Sequence, residues 1–204
     1  MSPGEAGDGT EPLDAGDFGS WLVAIGAAVR GERGSDVPCA GCTACCRASQ
    51  FILVEPDERD TLAHVPPELL FPAPRMPRGH RVLGYDERGH CPMLVDDRCS
   101  IYEHRPRACR AYDCRVFAAT GVELDDPTKA EVLARVRRWR FRGDDHARRR
   151  ALRAAARFVQ AHAEELAVSR DPTAVAGIAV EAHEEFLDRE PDVAALRARV
   201  RRPV

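Results

Sequence analysis

The chain has 204 residues, 44% hydrophobic and 31% charged, a globular composition that excludes a fully disordered chain. The formal net charge of −3 gives no general attraction to nucleic acid or to an anionic membrane. The longest apolar run, at 21–29, is too short to cross a bilayer, and residues 1–20 lack the basic start of a secretory signal. We therefore expect a cytoplasmic protein of one or two small domains.

The N-terminal part divides into a tail and a helix. Residues 1–17 are rich in Gly, Asp and Glu, and we predict that they form a disordered tail. A helix is predicted over 18–30, because Trp21 and Ile25 fall on one apolar stripe. This helix dominates a predicted N-terminal segment at 18–37.

The cysteine-rich segment at 38–117 is predicted to contain short elements only. Five prolines between 66 and 77 argue against regular structure there. Such pieces bury little apolar area, so a metal cross-link is expected to replace the missing core. The predicted elements are a helix at 55–65 and strands at 51–54, 81–85, 93–95 and 100–102, with 81–85 pairing with 93–95.

The region at 118–204 is predicted to be helical. Asp126-Pro127 and Asp171-Pro172 each supply an N-cap followed by proline in the first turn. The predicted helices cover 126–143, 145–167, a third beginning at 171, and 190–200. Together with the short strands, these helices predict an α+β fold in which a small metal-stapled domain adjoins a mainly helical C-terminal part.

The eight cysteines lie between residues 39 and 114, and the last 90 residues contain none. Eight cysteines are compatible with four disulfides in a secreted domain. Without an export signal, clustered cysteines indicate metal binding or redox chemistry instead. The candidate metal ligands are Cys39, Cys42, Cys45, Cys46, Cys91, Cys99, Cys109 and Cys114.

The first four cysteines form the motif Cys39-x-x-Cys42-x-x-Cys45-Cys46. Two-residue gaps let one tight loop direct three sulfurs at a common centre, the opening spacing of ferredoxin-type cluster loops. We expect Cys109 or Cys114 to complete that centre. Neighbouring side chains of extended backbone point apart, so Cys46 is expected to face a second centre or to pack inward.

The second four cysteines end in an arginine-rich stretch. Four plus four cysteines suit either one mixed cluster or two four-thiolate sites, and the metal is zinc or iron, the latter including a [4Fe–4S] cluster. Thiolate centres carry negative charge, so we expect Arg105 and Arg110 to stabilise them, with Arg107 and Arg115 nearby.

These motifs resemble a known family. The Cys39-to-Cys46 motif, then Cys91-Pro92-x-Leu94, then Cys99-x-Ile101-Tyr102-x-x-Arg105-Pro106-x-x-Cys109-Arg110, are similar to the CxxCxxCC cysteine-cluster proteins, described as a zinc- or iron-chelating domain. The resemblance covers about residues 38–117 and implies metal chelation. A related flagellin lysine methylase is iron–sulfur dependent and uses S-adenosylmethionine, although nothing outside the cluster resembles the longer methylase.

Several hypotheses stay open at this point. The chain is a metal-chelating protein, an iron–sulfur enzyme or electron carrier, or a structural zinc module for a protein or nucleic-acid partner.

No catalytic residue is singled out, and His80, His90 and His104 are not needed as ligands beside eight thiols. The ten arginines at 135–157 fall on several helix faces with few aromatics, so nucleic-acid binding is not expected. A single lysine against 29 arginines indicates a GC-rich bacterial genome.

Overall fold

The computed structural model describes residues 11–35, 37, 41–189 and 191–200, so Cys39 lies outside the described residues. About 49% of the chain is helix and 12% strand, which confirms the predicted α+β class. None of the described helices is long and apolar enough to cross a membrane.

The N-terminal part begins with a strand that the sequence did not indicate. Strand β1 (Leu13–Asp17) pairs in parallel with β7 (Trp139–Arg142), and helix α1 (Phe18–Val29) follows it directly. The Asp17 carboxylate caps α1 by accepting the Ser20 N–H at 2.8 Å. The prediction of a disordered tail at 1–17 is therefore wrong for residues 13–17. These residues are ordered by pairing with β7, which lies too far away in sequence for a local pattern to indicate it.

The cysteine-rich segment contains two small antiparallel sheets and one short helix. Strand β4 pairs with both β2 and β3, and β5 forms a hairpin with β6. The bounds are β2 (Ile52–Val54), α2 (Arg59–His64), β3 (Leu70–Pro72), β4 (Arg81–Leu83), β5 (Leu94–Val95) and β6 (Arg98–Cys99).

Three predictions for this segment are wrong in detail. Strand 81–85 does not pair with 93–95, because β2 and β3 occupy both of its edges. Proline does not prevent β3, since Pro72 ends that edge strand. The strand predicted at 100–102 is a 3₁₀ turn, Tyr102–His104.

Two short helices follow, α3 (Arg107–Ala111) and α4 (Arg115–Thr120). The predicted helix at 126–143 is a 3₁₀ turn, Pro127–Lys129, continued by α5 (Ala130–Val136), and the chain then enters β7. Trp139 fits the apolar stripe of that helix, but it opens the strand instead. The remaining helices are α6 (His146–Ala161), α7 (Ala163–Leu166), α8 (Pro172–Ala182) and α9 (Val193–Val200), of which α6 and α7 replace the single predicted helix at 145–167.

The apolar residues form one large core and one small one. The large core packs α1, α4, α6 and α8 together, with Phe18, Leu152 and Val175 fully buried. The small core lies within the cysteine-rich segment and consists of Val65, Leu83 and Ile101 with a rim of partly buried residues. A three-residue core contributes little burial energy, which is the condition in which small domains depend on a cross-link.

Candidate metal centre

The first half of the cysteine motif lies in a tight turn. Gly41 adopts a positive φ of 69°, and a 3₁₀ turn over Ala44–Arg47 carries Cys45 and Cys46. The Cys46 N–H donates to the Thr43 carbonyl at 2.9 Å. The chain thus folds back on itself within a few residues, as close wrapping around a centre requires.

Backbone hydrogen bonds join the two halves of the motif. The Cys91 N–H donates to the Cys46 carbonyl at 2.7 Å, and the Ser49 N–H donates to the Gly89 carbonyl at 2.9 Å. Asp86 closes the turn before Cys91 by accepting the His90 N–H at 2.8 Å. Cys46 and Cys91, which are 45 positions apart in sequence, are therefore held side by side.

The seven described cysteines line one cavity of about 950 Å³. Six of them are partly exposed, whereas Cys114 is buried at the edge of the large core. The structure therefore brings together both halves of the predicted ligand set, apart from Cys39, which lies outside the described residues. The members of this cavity are Cys42, Cys45, Cys46, Cys91, Cys99, Cys109 and Cys114.

The thiols in this cavity influence one another. The Cys46 thiol donates a hydrogen bond to the Cys45 sulfur, which lowers the pKa of Cys45 to about 7 and raises the pKa of Cys46. Burial, followed by the charges of Cys45, Cys91 and Cys99, raises the pKa of Cys109 to about 12. A bound cation reverses this repulsion, because metal ligation favours the thiolate form.

The contact between Cys45 and Cys46 corrects the expected divergence of these two side chains. The backbone at this point is a 3₁₀ turn and not an extended strand. Successive side chains of a 3₁₀ turn are about 120° apart and not on opposite faces. Two adjacent sulfurs can therefore face the same cavity.

The described sulfurs do not include three that lie close together. Among the residues that the structure describes, the one group of three ligand atoms within 4.8 Å is Asp60, His64 and His104, so no three described sulfurs come that close. Zinc–sulfur bonds of about 2.3 Å place the ligands of one tetrahedral ion about 3.8 Å apart. The described cysteines alone do not form a compact single-ion site.

The predicted cationic residues have different environments. Arg105 and Arg110 both line the cavity. The Arg105 guanidinium donates to the Tyr102 carbonyl at 2.6 Å and lies 4.0 Å above the Tyr102 ring, whereas Arg110 pairs with Glu58 at 3.5 Å. Their position fits a role in balancing thiolate charge. Arg107 and Arg115 are not among the residues that line the cavity, and both pair with carboxylates.

His104 belongs to a separate polar cluster. Its Nδ1 lies 2.8 Å from the Asp60 carboxylate, and its ring stacks on His64 at 3.5 Å with an angle of 3°. In-plane lone pairs of parallel rings run side by side and do not converge on one ion. The cluster therefore fits a surface hydrogen-bonded stack better than a metal site.

The sequence analysis missed two buried hydrogen bonds at the end of the cysteine motif, only one of which reaches a sulfur. The Trp139 indole N–H donates to the Cys114 sulfur at 3.2 Å, and the Trp21 indole N–H donates to the neighbouring Asp113 carboxylate at 2.9 Å. The one feature of the sequence that could have indicated these contacts is the presence of two tryptophans, because a buried indole N–H needs a hydrogen-bond acceptor. The pairing itself depends on tertiary contacts over 25 and 92 residues.

Comparison with known proteins bears on this cavity directly. Residues 38–128 match the family model CxxCxxCC, whose description is "Putative zinc- or iron-chelating domain". The match confirms the resemblance drawn from the cysteine motifs, and it extends slightly beyond the predicted segment. No curated protein and no solved structure matches the chain.

Proposed function

We propose that the cysteine-lined cavity binds metal through thiolates and that its metal is iron in an iron–sulfur cluster. The observation that carries the proposal is the meeting of seven described cysteines, from both halves of the motif, around one cavity. Thiolates are the ligands that iron–sulfur clusters and structural zinc share. The family description supports chelation of either metal.

The spacing of the first cysteines along the chain favours the cluster over a single zinc ion. Two-residue gaps separate Cys39, Cys42 and Cys45, which is the opening spacing of ferredoxin-type cluster loops. Arg105 and Arg110 on the cavity wall would offset the negative charge of the bound centre.

The proposed ligands are the eight cysteines of the motif, with the segment at 38–117 as the unit that the metal folds. The small core of Val65, Leu83 and Ile101 supports this second point, because it leaves much of the segment's stability to the metal. Both the ligand set and the boundaries of the unit belong to the proposal.

Metal, sulfide and absorption measurements on anaerobically purified protein test the proposal. We expect iron, acid-labile sulfide and a broad visible charge-transfer band. Cys91→Ser should lose most of the metal, whereas His90→Ala, a substitution at the adjacent residue, should retain it. A colourless protein with stoichiometric zinc would refute the cluster and leave a zinc chelator. Full metal content in every Cys→Ser variant would refute the thiolate centre itself.

A further inference from the structure

The two tryptophans of the chain donate their indole N–H groups to two consecutive residues. Trp21, in α1, donates to the Asp113 carboxylate at 2.9 Å, and Trp139, at the start of β7, donates to the Cys114 sulfur at 3.2 Å. Both tryptophan residues are 4% exposed. Two elements from outside the cysteine-rich segment therefore contact the end of the cysteine motif.

The residues beside Cys114 are fixed by buried polar bonds. The Asp113 carboxylate also accepts the Ser35 hydroxyl at 2.9 Å and the Arg115 guanidinium at 2.8 Å. The Arg115 guanidinium donates to the Ala15 carbonyl of β1 at 3.1 Å. With these partners on both sides, the backbone at Cys114 has little freedom, so the direction of its side chain is set by the helical core.

Cys114 differs from the other described cysteines in its surroundings. It is 9% exposed and packs in the large core, yet it lines the same cavity as the six partly exposed cysteines. A hydrogen bond to sulfur strengthens when the sulfur is a thiolate, because the acceptor is then charged. Hydrogen bonds to ligating sulfurs also change the electronic properties of a metal centre.

We propose that Trp139 is a positioning residue of the metal centre, whose indole N–H holds the sulfur of Cys114 in place and withdraws charge from it once metal is bound. Trp139, which lies outside the cysteine-rich segment, thereby tunes a centre whose proposed ligands all come from that segment. The inference rests on the proposed function, because it requires Cys114 to be a metal ligand.

Cobalt(II) loading of the full-length, metal-free protein tests this role whichever metal the protein carries. Thiolate-to-cobalt charge transfer reports the charge on the ligating sulfurs, and transfer of cobalt to excess EDTA reports its release. Trp139→Phe should retain the cobalt stoichiometry, shift the charge-transfer band to lower energy and release cobalt about tenfold faster, as expected for one lost hydrogen bond to a charged acceptor.

The matched control is Trp21→Phe. It removes the other buried indole N–H, which donates to the Asp113 carboxylate and not to a sulfur. This variant should lower stability and leave the band energy unchanged. Benzothienylalanine at position 139 keeps the shape of the indole without its N–H, so it reproduces the band shift even where Trp139→Phe disturbs packing.

The results distinguish the role of Trp139 from the existence of the proposed metal centre. An unshifted band with benzothienylalanine at position 139, or an equal shift in Trp21→Phe, overturns the role of Trp139. Full charge-transfer intensity in Cys114→Ser overturns it as well, because Cys114 is then not a ligand. A wild-type protein without any thiolate-to-cobalt band refutes the proposed metal centre itself.

Discussion

At the scale of single residues, the pair Cys45 and Cys46 determines how the metal-free site behaves. The Cys46 thiol donates to the Cys45 sulfur and thereby lowers the pKa of Cys45 to about 7. Because this pKa is depressed, the ionised sulfur stabilises the metal-free fold at higher pH, and that contribution is lost as pH falls through about 7. Thiolates are the species that bind metal and react with electrophiles, so Cys45 is the first candidate to do both at neutral pH.

We predict that Cys45 is alkylated by iodoacetamide near neutral pH in the metal-free protein, with its half-maximal rate at about pH 7. Cys109, whose pKa burial raises to about 12, should react far more slowly there. Cys46→Ala removes the donor and should move the Cys45 profile to higher pH, whereas Cys42→Ala should not. Peptide mass spectrometry after timed labelling measures each rate, and identical profiles for Cys45 in all three proteins would contradict the prediction.

At the scale of elements, the buried pair Asp113–Arg115 joins α4 to α1 and β1. Both side chains are almost fully buried. Asp113 also accepts hydrogen bonds from Trp21 and Ser35, and Arg115 donates one to the Ala15 carbonyl. Breaking one partner of such a pair is costly, since the other charge stays buried without compensation. The pair is therefore a structural connection between the cysteine motif and the helical core.

Asp113→Asn is expected to lower the free energy of unfolding by about 3–5 kcal/mol, because Arg115 then lacks its counter-charge. Urea denaturation followed by circular dichroism measures this loss. The control is Asp14→Asn, which breaks the exposed pair between Asp14 and Arg142 and should leave the midpoint nearly unchanged. Equal midpoints for the two variants would show that the buried pair contributes no more than a surface one.

The elements also show how far a sequence predicts this fold. Local signals located α1 and α8, where an apolar stripe or an Asp-Pro cap marks the helix. Strands β1 and β7 were not predicted, because they depend on pairing with each other and not on local periodicity. In the same way, the motif spacing predicted that the cysteines meet, but the contact of Cys114 with Trp139 depends on where β7 lies.

At the scale of the whole molecule, the two hydrophobic cores predict two responses to metal removal. The segment with Val65, Leu83 and Ile101 has little apolar burial, whereas α6 and α8 pack in the large core. Binding of a structural zinc ion contributes roughly 10–16 kcal/mol to folding in small zinc-finger peptides, which exceeds the whole free energy of unfolding of many domains. Loss of the proposed metal should therefore affect the two parts very differently.

We predict that a strong chelator removes most hydrogen-exchange protection at 41–117 and leaves α6 and α8 largely protected. Hydrogen–deuterium exchange by mass spectrometry on metal-loaded and metal-free protein makes the comparison. Re-adding metal should restore the protection and serves as the control for damage. Unchanged exchange at 41–117 in fully demetallated protein would contradict a metal-dependent segment.

The parallel pairing of β1 with β7 has a consequence for biosynthesis. Arg142 pairs with Asp14 across 128 positions, and the whole cysteine-rich segment lies between the two strands. At about 5–20 residues per second, the ribosome takes roughly 6–25 seconds to make that stretch. The cysteines thus emerge from the ribosome ahead of β7, so a nascent chain can load the proposed metal before Trp139 reaches Cys114, and closure of the helical part then sets the final surroundings of a centre already occupied.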